Sequence, residues 1–147
     1  MPVDVRTETG IARPREEVAA YAADPDTAPE WYANIDSAEP RTPPPLGVGS
    51  RTAFVARFLG RRLEDVYEVV EHEPGRRLVM RTADGPFAME TTYEWGDAPG
   101  GATRMVLSNR GEPSGFSRLL APVMAPAVRR ANRKDLAALK RRLEASP

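Results

Sequence analysis

Polar and apolar residues alternate through most of this chain and then give way to a three-to-four-residue period. Val3, Val5, Thr7, Thr9 and Ile11 alternate with Asp4, Arg6 and Glu8, the pattern of a strand buried on one face. Pro14 is followed by Glu16, Glu17, Val18, Ala19 and Tyr21; proline at a first helical position with acids in the first turn predicts a short helix. Asp24 can cap and Pro25 can open a second short helix, which presents Trp31 and Tyr32. A short strand is expected at residues 35–39, then a loop over 40–49, where Pro43-Pro44-Pro45 and two glycines forbid helix interior or central strand. Five longer runs alternate over residues 50–59, 62–73, 76–82, 87–95 and 102–110. Each connector between them contains glycine, and the short ones read as hairpin turns, so the runs predict an antiparallel meander with one apolar face.

The period changes over residues 114–145, where Leu120, Met124, Val128, Leu136, Leu139 and Leu143 recur at helical spacing. Pro122 and Pro126 predict a short first helix or a kink within 121–126, followed by an uninterrupted helix. A helix that long must cover its apolar stripe, and the sheet before it is the available partner. A sheet curved around one helix leaves a cavity between them.

The order of elements and several short motifs resemble a known superfamily. Pro14-Arg15-Glu16-Glu17-Val18 resembles the opening of its first helix, and Asp24-Pro25 with Pro29-Glu30-Trp31 its second helix. Gly47-Val48-Gly49 stands where that family turns into its third strand, and Pro74-Gly75-Arg76-Arg77-Leu78 is similar to its fourth-to-fifth strand turn. Ala131-Asn132-Arg133-Lys134-Asp135-Leu136, Leu139-Lys140 and Leu143-Glu144 resemble its closing helix. This is the SRPBCC (START-related) superfamily, polyketide cyclase/dehydrase-like. The resemblance implies an α+β helix-grip fold: a curved seven-stranded antiparallel sheet around a long C-terminal helix, with two short helices between strands 1 and 2. It also implies lipid or hormone carriers, or aromatase/cyclases, that share a cavity rather than a catalytic motif.

Composition narrows the rest. The 147 residues suit one domain spanning 1–147. Twenty-one Lys+Arg balance 21 Asp+Glu, so no net field favours nucleic acid or an anionic membrane. With no cysteine and a single histidine, His72, neither thiolate chemistry nor a multi-histidine metal site is expected. No cofactor is expected either. The first residues lack the apolar core of a signal peptide and no run reaches membrane-helix length, so the expected location is the cytoplasm, as a monomer or homodimer.

Strand parity and helical spacing put Phe54, Phe58, Met80, Phe87, Met89, Tyr93, Met105 and Leu107 on inward faces, with Trp31 at one end. The helical segment adds Phe116, Leu120, Met124 and Val128. Two readings stand for this set: the lining of a small-molecule pocket, or plain core. Thr91, Tyr93 and Asn109 share the inward parity and are the candidate polar or catalytic groups; the alternative is hydrogen bonding between strands. Parity puts His72 toward solvent; Asp65 shares the parity of Tyr67 but lies near a turn, where it is expected to be solvated. Arg129, Arg130, Arg133, Lys140, Arg141 and Arg142 read as a solvated helix face or as a basic interaction surface. The expected function is binding of a small hydrophobic or aromatic ligand, lipid- or polyketide-like; the alternatives are a polyketide cyclase/dehydratase acting in the same cavity and an interaction module on the basic helix face.

Overall fold

The computed structural model describes residues 3–58, 60–84, 88–112 and 121–145, with side chains described within 4–57, 60–82, 89–111 and 125–145. Strand β1 (Val3–Ile11) leads into α1 (Arg15–Ala23), a single 3-10 turn (Pro25–Thr27) and α2 (Ala28–Trp31). Six strands follow: β2 (Ile35–Pro40), β3 (Arg51–Phe58), β4 (Arg61–Glu73), β5 (Arg77–Asp84), β6 (Ala88–Ala98) and β7 (Ala102–Glu112). Helix α3 (Ala121–Ala145) closes the described chain. The strands form one antiparallel sheet in the order β1-β7-β6-β5-β4-β3-β2, so every neighbour except β1 against β7 is a sequential connection. This is the α+β helix-grip arrangement that the sequence resemblance implies.

Local chemistry accounts for the elements. Asp24 accepts the backbone N–H of Asp26 at 2.9 Å, so it caps the turn that Pro25 opens. Gly60 and Gly75, in the β3–β4 and β4–β5 turns, sit at φ of 76° and 78°, where a side chain would be strained. On the outer face, directly opposed pairs Arg51–Glu68, Arg77–Glu94 and Arg81–Glu90 are salt-bridged. Cross-strand pairs of this kind contribute about 0.2–1 kcal/mol each and keep that face in water.

The inner face packs on the helices. Ile11, Val18, Trp31, Val69, Leu78, Met105, Leu107, Leu136, Leu139 and Leu143 form one buried cluster. Polar groups pin the C-terminal end of α3 to the first strand: Lys140 donates to the Gly10 carbonyl at 2.6 Å, Arg13 donates to the Leu143 carbonyl at 2.8 Å, and Glu144 accepts the Ala12 N–H at 2.8 Å. Arg142 donates to the Glu30 carbonyl at 2.7 Å, fixing the same helix to α2.

Of the two forms expected at 121–126, a separate short helix is not seen: α3 runs on through Pro126, which has no N–H to give residue 122; residues 114–120 of the expected helix lie outside the described residues. Two further expectations need correcting. His72 is half-buried and faces inward, because a register irregularity between Val69 and Glu71 inverts the parity and pairs His72 with the fully buried Leu78. Asp65 is 8% exposed and faces inward too, since it lies within β4 opposite Phe54 rather than at a turn.

Leu139 is fully buried where α3 meets the sheet. Leu139→Ala is expected to lower the unfolding free energy by about 2–5 kcal/mol in urea denaturation. A loss below about 1 kcal/mol would mean the helix is not gripped there.

Candidate functional site

Where α3 runs from Val128 to Asp135 the stripe facing the sheet becomes smaller and more polar, and a cavity of about 190 Å³ opens. Phe54, Leu63, Met80 and Met89 from the sheet and Val128 and Ala131 from the helix form its apolar walls. Its polar wall comes from Tyr32, Tyr67, Tyr93, Asp65, Asp135 and Asn132. A larger cavity of about 680 Å³ lies toward the other end of the sheet, between α1, the proline loop at 40–46 and the β4–β5 turn. Its lining is mixed: Glu16, Asp24, Pro43 and Arg51 are exposed, while Ala19, Thr52 and Trp95 are buried. The smaller cavity carries the chemistry.

The polar wall is organised around two phenols. Tyr32 follows α2 and Tyr93 sits on β6; their hydroxyls are 2.5 Å apart, one donating to the other. Trp31 lies behind them in the core, its ring 4.0 Å from that of Tyr32 and 6.1 Å from that of Tyr93. Burial pushes both phenols well above their ordinary range, so both keep their protons at neutral pH. Tyr67 rises to about 12, through burial first and the nearby Asp65 second, while the hydroxyls of Thr82 and Thr91 pull it back. On α3, Asp135 is 2% exposed and accepts the Ala33 N–H at 3.0 Å. Burial raises its carboxyl from 3.8 to about 6; the Ala33 N–H and Lys134 act in the opposite direction. Asn132, one turn earlier on the same face, is 5% exposed, and its Nδ2 has no hydrogen-bond partner among the described residues.

The residues expected from the sequence divide into three groups. Phe54, Met80, Met89, Tyr93 and Val128 line the cavity together, as do Thr91 and Asn109. Thr91 donates to Asn109 Oδ1 at 2.8 Å between paired strands, the interstrand bond that was the alternative to a ligand contact. Trp31, Met105 and Leu107 instead belong to the packed core. Phe87, Phe116 and Leu120 lie outside the described residues, and the side chains of Phe58 and Met124 are likewise outside them.

Sequence reasoning missed Tyr32, Tyr67, Asn132 and Asp135 as site residues. For the last two a signal was present. Val128, Asn132, Asp135, Leu136, Leu139 and Leu143 fall at one helical spacing, so two polar groups interrupt a buried stripe. The basic residues themselves are partly engaged inside the molecule, through Lys140 and Arg142. Among the described residues no helix is long and apolar enough to cross a membrane.

A family model described as polyketide cyclase / dehydrase and lipid transport matches residues 2–144. No curated protein sequence matches the chain. Among solved structures the chain is similar to TTHA0849 from Thermus thermophilus, with 25% identity, 97% of each chain covered and a TM-score of 0.83. It is similar in fold to a START superfamily protein from Mycobacterium smegmatis (15% identity, 96% and 97% covered, TM-score 0.80). The same holds for the Zhui aromatase/cyclase from Streptomyces sp. R1128 (16% identity, 98% and 94% covered, TM-score 0.81).

A raised carboxyl has a definite signature. The folded state binds the Asp135 proton more tightly than the unfolded chain between 3.8 and about 6, so this group's contribution to stability falls as pH rises through that window. Relative to Asp135→Asn, the wild-type unfolding free energy should therefore decline from about pH 4 to about pH 6 and level off above it. The Asp135 carboxyl carbon should titrate near 6 by NMR; a midpoint near 4 would mean the cavity wall is wet.

Proposed function

The chain belongs to the polyketide cyclase / dehydrase and lipid transport family, and on that premise we propose that it binds a small apolar or aromatic molecule between the sheet and α3. One observation carries this reading: a 190 Å³ space whose apolar walls meet a buried polar wall of phenols and carboxyls. An open pocket whose apolar walls converge on a few hydrogen-bonding groups is the usual form of a small-molecule site. The volume sets the scale. It lies below the roughly 300–1,000 Å³ of drug-sized pockets, which favours a body of one or two rings or a short chain. Met80 and Met89 supply an adaptable lining, and the phenols, which hold their protons, supply donors to an oxygen on the guest.

A second reading rests on the Tyr32–Tyr93 pair and Asp135. The phenols are proton donors, and a carboxylate with its pKa near 6 accepts protons at neutral pH. Cyclisation or dehydration of a polyketide-like chain needs both functions beside a substrate held in a reactive fold. Binding needs neither, and so ranks first. The basic face of α3 as an interaction module ranks last, since Lys140 and Arg142 already hold the helix to β1 and α2.

2-Naphthol is expected to raise the melting temperature of the protein, and Ala131→Phe, which fills the cavity from the helix side, is expected to remove that shift without unfolding the chain. No shift in the wild type from 2-naphthol or other compounds of that size would count against the cavity as a binding site. For the enzymatic reading, Tyr93→Phe should lower turnover of a linear polyketide mimic by about 10²–10⁴-fold while its Kd changes little. Equal turnover would take Tyr93 out of the chemistry.

A further inference from the structure

The cavity is one-sided in its charge. Asp65 of β4 and Asp135 of α3 both line it and both are buried. Arg57 is the one cation among its described lining residues; it is exposed, and Asp36 already accepts from its guanidinium at 2.9 Å. The groups facing Asp135 from the elements around it are the phenols of Tyr32 and Tyr93, neither of which carries charge at neutral pH. On its own helix, Lys134 is exposed and acts on Asp135 from the solvent side.

Asp135 uses one oxygen on the Ala33 N–H. Its other oxygen has no hydrogen bond among the described residues and is left accessible rather than closed off, and one turn away Asn132 holds a buried amide nitrogen without a partner among them. Buried polar groups are nearly always satisfied, and a buried carboxylate without a counter-charge is costly. Unmet bonding capacity of this kind, concentrated at one end of an otherwise apolar cavity, marks where a guest's head group would sit.

Resting on the ligand-binding reading above, we infer that the guest is a hydrophobic amine: its protonated nitrogen donates to the free oxygen of Asp135, and its apolar body lies against Phe54, Met80 and Met89. An oxygen adjoining the nitrogen would take the Asn132 N–H. A carboxylate-bearing guest of the same shape would meet Asp135, with Arg57 already engaged, and is disfavoured. Since Asp135 titrates near 6, the selectivity for amines is present above that pH and fades below it as the carboxyl takes its proton.

Three compounds with one body separate the possibilities: 4-phenylbutylamine, 4-phenylbutan-1-ol and 4-phenylbutyrate, titrated calorimetrically into the full chain. Near neutral pH the amine is expected to bind about tenfold tighter than the alcohol, with the carboxylate weakest. At about pH 5 the gap between amine and alcohol should shrink to within about twofold. Asp135→Asn should close the same gap near neutral pH, and the pH series on the wild-type protein tests the point even if that variant folds poorly. An amine no tighter than the alcohol, or a carboxylate that binds best, overturns the head-group inference and leaves the cavity reading standing. Failure of all three to bind overturns both.

Discussion

The grip of the sheet on one face of α3 is the constraint from which the rest of the molecule follows. From Leu136 through Leu139 to Leu143 that face is fully apolar, and there sheet and helix meet without a gap. From Val128 to Asp135 the same face carries Ala131, Asn132 and Asp135, which are too small or too polar to fill the space under the sheet. The change in composition along one helix stripe therefore divides a packed core from a cavity. Lys140, Glu144 and Arg142 fix the far end of the helix to β1 and α2, so the stripe is held in register and the space is kept open.

Electrostatics then gives the cavity its character. Low polarity keeps Tyr32, Tyr93 and Tyr67 protonated and holds Asp135 close to neutrality on the acid side of pH 7. Trp31 supports the tyrosine pair from the core side, so the hydroxyls are placed by aromatic packing as well as by their own hydrogen bond. Two different interactions position the polar wall. That is the property a binding site needs if it is to discriminate between head groups rather than only between shapes.

Much of this fold was legible in the sequence. Alternation with glycine turns gave the meander, and helical spacing gave α3; both signals arise from burial of one face and survive without tertiary information. What was not legible has physical causes. The register irregularity between Val69 and Glu71 inverts parity, so counting by twos put His72 in water when it lies opposite Leu78 on the inner face. Trp31 and Tyr32 are adjacent at the end of a one-turn helix, and periodicity over four residues cannot tell which of them enters the core and which the cavity. Asp135 was readable as an acid in an apolar stripe, but a carboxyl among arginines looks like surface until the helix is placed.

The central claim is that a guest occupies the space between Met80, Met89 and the Val128–Asp135 face of α3. Intermolecular NOEs from methyl-labelled methionines to an unlabelled aromatic guest test it most directly. The account predicts cross-peaks from the methyls of Met80 and Met89 and none from Met105, which is fully buried in the core. Cross-peaks to Met105 alone, or a bound guest that contacts none of the three, would contradict it.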